Sequence, residues 1–163
     1  MDQVAAPETR HSPTARTSAR SNPRTGAPVP RSEGLALSTD HRFVYTDDIL
    51  TAGIIRIPLS APDRFTTVAT IPGPFPGVDD LTMARSGELY VAAHIQGAVF
   101  RVDPLTGATC AIATGLAPGW SGPSSVRIAP DGDRWALYAT GFDGTLRRLR
   151  PPAEVALEPV RNL

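Results

Sequence analysis

Two carboxylates and a hydroxyl recur at one position of this chain: Glu33, Asp79 and Ser124. Each stands two residues ahead of an apolar residue, Leu35, Leu81 or Val126, and these leading residues are 46 and 45 positions apart. Carboxylate and hydroxyl oxygens suit a hard divalent cation such as Ca²⁺ or Mg²⁺. A cation held there can polarise a carbonyl oxygen or lower the pKa of a bound water. Acids ahead of strands also bond local backbone amides in turns, and the pattern alone leaves both readings open. His94, in AAHIQG, is a further candidate for the same polar mouth, although a histidine after a strand is also an ordinary rim residue. The sequence has no nucleophile elbow, Cys-x-x-Cys pair, P-loop or dinucleotide glycine pattern, which leaves nucleophilic triads and nucleotide chemistry without support.

Such residues converge only if the elements carrying them repeat in space. Three units share their landmarks: GLALSTDHRFVYTDDILTAGIIRIPL from Gly34, GVDDLTMARSGELYVAAHIQGAVFRVDPLTG from Gly77, and SSVRIAPDGDRWALYATGFDGTLRRL from Ser124. In each, an alternating strand and a polar turn precede a strand centred on Tyr45, Tyr90 or Tyr138, and a glycine turn leads to a strand ending at Arg56, Arg101 or Arg147/Arg148. Period-two alternation over short runs argues strands, and a multi-stranded unit of this length reads as a β-propeller blade. The fold class is therefore all-β, a propeller of four-stranded antiparallel blades with about three present, spanning roughly 33–72, 78–115 and 123–160 of a 33–163 domain. The expected strands lie near 34–38, 42–47, 53–57 and 65–70, then 80–84, 88–93, 98–103 and 108–113, with PPAEVALEPV offering an outer strand to the third unit. The first strand of each blade would line the channel and bring Glu33, Asp79 and Ser124 to one axis. Asp80, next to Asp79, would point the other way, and Asp48 rather than Asp47 would bond inward. Propellers close with about four to eight blades, so three leave open edges that invite self-association.

Composition narrows the partners. The 163 residues carry 16 basic and 16 acidic side chains, which gives no reason to expect nucleic acid or an anionic membrane as partner. No apolar run approaches the 18 or so residues of a membrane span, and no basic-then-apolar signal opens the chain, so the expected setting is soluble and cytoplasmic. The single cysteine, Cys110, excludes an internal disulfide and is expected to be a small buried strand residue. Residues 1–32 hold five prolines and five arginines among Ser, Thr and Ala, a composition expected to be disordered.

The three units resemble a known family. GLALSTDHRFVYTDD is similar to the N-G-L-A-x-S-x-D-x-x-x-x-Y-x-x-D segment of the gluconolactonase, regucalcin (senescence marker protein) and luciferin-regenerating enzyme family, VDDLTMARSGELYVA to its following blade, and GPSSVRIAPDGDRWALYAT to the next. The resemblance covers about 33–150 and implies the C-terminal half of a six-bladed propeller with one divalent metal (Ca²⁺, or Mg²⁺, Mn²⁺ or Zn²⁺) in its channel. It implies Asp79 as a metal ligand that also helps activate water, and Glu33 as a ligand where the family has asparagine. The family's glutamate ligand belongs to an early blade outside this chain, and Ser124 matches no family ligand. The expected activity is hydrolysis of a sugar or related lactone, lost if the missing half is essential. The alternatives are a non-catalytic binding or scaffold propeller and a strictosidine-synthase-like propeller, which shares much of the pattern.

Overall fold

A computed structural model describes residues 27, 29, 31–152 and 155–160. Most of the 1–32 segment, for which disorder is expected, lies outside the described residues. The described residues form three antiparallel sheets in chain order. The first comprises β1 (Leu35–Leu37), β2 (Phe43–Asp48), β3 (Gly53–Pro58) and β4 (Thr66–Thr70). The second comprises β5 (Val78–Met83), β6 (Leu89–Ala93), β7 (Ala98–Val102) and β8 (Thr109–Ala113). The third comprises β9 (Pro123–Asp131), β10 (Arg134–Gly141) and β11 (Leu146–Leu149), after a 3₁₀ turn at Gly119–Ser121.

Each sheet is a meander, so local turn chemistry sets its register. Between β1 and β2, Ser38 Oγ accepts the N–H groups of Arg42 at 3.1 Å and Phe43 at 2.9 Å while donating to Asp40 at 2.6 Å. After β7, Asp103 accepts the Leu105 N–H and the Thr106 hydroxyl, both at 2.8 Å, so the Asp-Pro-x-x-Gly run closes on itself. These turns fix which side chains share a row, and rows decide which face is buried.

Two cores result. The first lies between the first and second sheets and holds Ala36, Tyr45 and Ile54 from one, and Leu81, Val91 and Phe100 from the other. The second lies between the second and third sheets and holds Tyr90, Ala92 and Val99 against Val126, Leu137 and Ala139. The two central strands of the middle sheet, β6 and β7, are covered on both faces and almost wholly apolar, as doubly buried strands must be. β5 packs against β1 on one side and β9 on the other, so the leading strands stand in a row. A cleft of about 210 Å³ runs along them, walled by Leu35, Leu37, Leu81, Met83 and Arg127 among others.

Three expectations are corrected here. The third sheet has three strands among the described residues, because the tail segment leaves β11 and instead makes an isolated antiparallel bridge from Pro159 to Ala84 of the second unit. Its prolines lack the N–H that a paired strand needs. Cys110 is exposed, because it sits on β8, the outer strand, where no neighbouring sheet reaches. Asp47, not Asp48, is the inward carboxylate: Asp47 pairs with Ile54 in register and is fully buried, whereas Asp48 caps its turn by accepting the Leu50 N–H and the Thr51 hydroxyl.

Candidate functional site

A cavity of about 280 Å³ opens at the end of the leading strands, lined by Glu33, Ile49, Asp79, His94, Trp120 and Phe142. Two sets of positions build it. Glu33 comes from the lead-in to β1 and Asp79 from the start of β5, at equivalent places in the repeat. Ile49, His94 and Phe142 are also equivalent to one another: each lies three residues beyond the residue paired with the leading apolar, Thr46, Val91 or Ala139. The repeat alone could have pointed to Ile49 and Phe142, since the signal that marks His94 marks them too.

A β-bulge aims Asp79. Val78 pairs with Ala93 and Asp80 with Ala92, leaving Asp79 as the extra residue, and such a bulge re-aims a side chain. Asp80 then turns to the neighbouring sheet, where it accepts the Ser125 hydroxyl, the Val126 N–H at 3.3 Å and Arg127 Nη1 at 2.5 Å. Ser124 sits at the corresponding bulge of β9 but does not line the cavity. Its short side chain turns back to Thr140, with Oγ 3.5 Å from that residue's carbonyl oxygen, and Trp120 and Phe142 form the wall on that side.

Glu33 is held from behind. Asp47 Oδ1 accepts the Gly34 N–H at 2.7 Å and the Glu33 N–H at 3.3 Å, while Asp47 Oδ2 is buried with no hydrogen-bond partner among the described residues. Nothing in the local sequence separates Asp47 from Asp48, so register alone reveals it. Burial pushes the Asp47 carboxyl up to about 6, against the opposing pull of the backbone N–H groups. The Asp79 carboxyl is likewise pushed up to about 6, first by burial and then by the negative charges of Glu33, Asp47 and Asp80.

His94 is buried, its Nδ1 without a partner among the described residues, and burial holds its pKa below the usual value. Its ring meets Phe142 edge-on at 5.9 Å and Trp120 at 6.0 Å, tilted by 34°. Trp120 is otherwise 83% exposed, so its outer face is free to meet a ligand.

The ion pairs among the described residues use Asp80, Glu88, Asp131, Asp143 and Glu158, and none involves Glu33, Asp47 or Asp79. The cavity thus carries acid without a basic side chain to balance it, and its oxygen donors fit a hard cation. No three His, Cys, Asp or Glu side chains among the described residues cluster closely enough to hold a metal ion between them. A cation here would take two carboxylates and keep water at its other positions, as hard cations readily do.

The fold is shared with several solved structures. A calcium-binding regucalcin from Agrobacterium tumefaciens is 19% identical with a TM-score of 0.60, and the match covers 81% of this chain and 50% of that one. A luciferin-regenerating enzyme is 17% identical at 0.57, covering 82% and 49%. A gluconolactonase from Xanthomonas campestris is 22% identical at 0.55, covering 71% and 36%. The chain therefore spans half or less of these neighbours, which are the proteins its sequence motifs resemble. No family model matches the sequence, and no curated protein matches it. Among the described residues, no helix is long and apolar enough to cross a membrane.

Proposed function

We propose that this chain carries half of a gluconolactonase-like propeller, and that the cavity is the substrate site of a hydrolase acting on a cyclic ester, a lactone of a sugar or related acid. The observation that carries this reading is the meeting of Glu33 and Asp79, far apart in the chain, on the wall of one acidic cavity that has aromatic sides.

Glu33 and Asp79 would hold one divalent cation. When bound, it would supply Lewis-acid polarisation of the ester carbonyl. The side chains do the rest. Asp79, ionised above about pH 6, is the general base: it takes a proton from water as the water oxygen attacks the carbonyl carbon. The ring C–O bond then breaks, and the departing oxygen recovers that proton, which yields the open hydroxy acid. Asp47 keeps Glu33 in place through the backbone. Trp120, Phe142 and Ile49 present apolar surface to the faces of a small ring and exclude water from it. His94 stays neutral at pH 7, so it does not compete with a cation for the carboxylates.

The direct test is aldonolactone hydrolysis by the purified chain with Ca²⁺, Mg²⁺, Mn²⁺ or Zn²⁺. The expected result is turnover that disappears in Asp79→Ala. Turnover unchanged by that substitution overturns the role given to Asp79, and no turnover with any of the four cations favours a binding module over an enzyme.

A further inference from the structure

The cavity has two kinds of wall. Glu33 and Asp79 bring carboxylates, while Ile49, His94, Trp120 and Phe142 bring an alkyl group and three rings. Neither carboxylate joins an ion pair among the described residues, and no arginine lines the cavity, so its negative charge is uncompensated.

The rings form a corner. His94 meets Phe142 edge-on at 88° but is tilted only 34° from Trp120, so the planes of Trp120 and Phe142 are steeply inclined to each other. Trp120 is 83% and Phe142 62% exposed, so both keep ring surface free for a ligand. Beside them His94 is 3% exposed, with Nδ1 unpartnered among the described residues. A hydrated divalent cation uses only the acidic part of this lining. It takes about six to eight oxygen ligands, and Ile49, Trp120 and Phe142 have no side-chain oxygen to offer. An organic ammonium ion uses both parts. Its charge is drawn to carboxylates, and its C–H groups sit against aromatic faces, whose quadrupole attracts a cation.

We infer that the cavity binds a small organic ammonium ion, a quaternary or N-methylated amine. Its charge lies beside Glu33 and Asp79, and its methyl groups lie against Trp120 and Phe142. At about 280 Å³ the cavity suits a compact head group. Such an ion occupies the carboxylates and the ring walls together, so it excludes a divalent cation and a lactone alike. The inference goes beyond the hydrolase reading, since it rests on the cavity's lining and needs no turnover.

Isothermal titration calorimetry of the full chain with choline, at pH 7.5 without Ca²⁺, should show saturable binding. The neutral isostere of choline, with carbon in place of nitrogen, should bind at least about tenfold more weakly. Trp120→Leu should weaken choline binding about threefold to thirtyfold, whereas Trp120→Tyr, which keeps a ring face, should retain most of it. Glu33→Gln should weaken it about tenfold or more. Circular dichroism establishes that the variants fold. Added Ca²⁺ should raise the apparent dissociation constant for choline. Choline binding that Ca²⁺ leaves untouched still supports this inference and tells instead against the cation assigned to Glu33 and Asp79 in the hydrolase reading. No saturable choline binding, equal affinity for the isostere, or affinity unchanged in either Trp120→Leu or Glu33→Gln would each overturn the inference.

Discussion

Asp47 Oδ1 accepts the Gly34 N–H at 2.7 Å, tying the end of β2 to the lead-in of β1 and setting Glu33 at the cavity wall. Its other oxygen is buried without a partner among the described residues, and burial pushes the carboxyl from 3.8 up to about 6. A carboxyl whose folded pKa is raised contributes stability that is fully present below its unfolded pKa and lost as pH rises through the folded value. This contribution should therefore fade between about pH 4 and pH 6. Asp47→Asn keeps the oxygen acceptor and removes the titration, so urea unfolding across that window should show a shallower slope than wild type. Asp47→Ala leaves two backbone donors unpaired and should cost about 1–3 kcal/mol. Identical pH profiles for wild type and Asp47→Asn would refute this account.

Asp79 provides the cation test that needs no turnover. Burial and the charges of Glu33, Asp47 and Asp80 push its carboxyl up to about 6. A bound cation favours the ionised form, so proton and cation compete. Ca²⁺ should raise the melting temperature at pH 7.5 and have much less effect at pH 5. At 100 times the dissociation constant the gain is about 2.7 kcal/mol. Asp79→Asn should lose most of that gain. Equal stabilisation of wild type and Asp79→Asn would place the cation elsewhere.

Local rules made much of this readable in advance. Ser38, Asp40 and Asp103 close their turns with their own side chains, so strand positions followed from short stretches of sequence. Glu33 and Asp79 were found by repeat spacing, and both line one cavity. What escaped depends on neighbours distant in sequence. Asp47 and Asp48 are chemically alike and both buried, and only pairing with Ile54 against Gly53 decides which reaches the lead-in of β1 and which closes its own turn. Cys110 lies in an apolar-looking strand, yet its exposure depends on whether another sheet reaches β8. Trp120 belongs to a connector outside the repeat, so spacing said nothing about its approach to His94.

Asp80 is the chief polar tie between the second and third sheets. It is 7% exposed and accepts from Ser125, from the Val126 N–H and from Arg127. Asp80→Ala strands these donors and should destabilise the chain by about 2–3 kcal/mol. Arg127, with a side chain 55% exposed, can turn to solvent, so Arg127→Ala should cost under about 1 kcal/mol. Denaturant melts of the two variants check the order. A larger loss from Arg127→Ala would show that the ion pair, rather than the buried acceptor, holds the sheets together.

Gly122 sets how closely the third sheet approaches His94. Its φ is −70°, which any residue adopts, so its backbone does not require glycine. The close approach does: a Cβ there would lie 1.9 Å from the His94 carbonyl oxygen. Gly122 also accepts the Phe142 N–H at 3.1 Å, so a shift at 122 moves Phe142, which meets the His94 ring. Gly122→Ala should therefore cost about 1–3 kcal/mol through overpacking and disturb the cavity. Gly132 supplies the contrast, with φ +67° and nothing within 4 Å of an added Cβ. Gly132→Ala should cost about 1–2 kcal/mol through backbone strain alone and leave the cavity as it was. The two are separated by Trp120 emission in a Trp135→Phe background, which isolates the tryptophan beside His94. Emission should shift with Gly122→Ala and hold with Gly132→Ala; equal shifts would mean that spacing at Gly122 does not set the cavity wall.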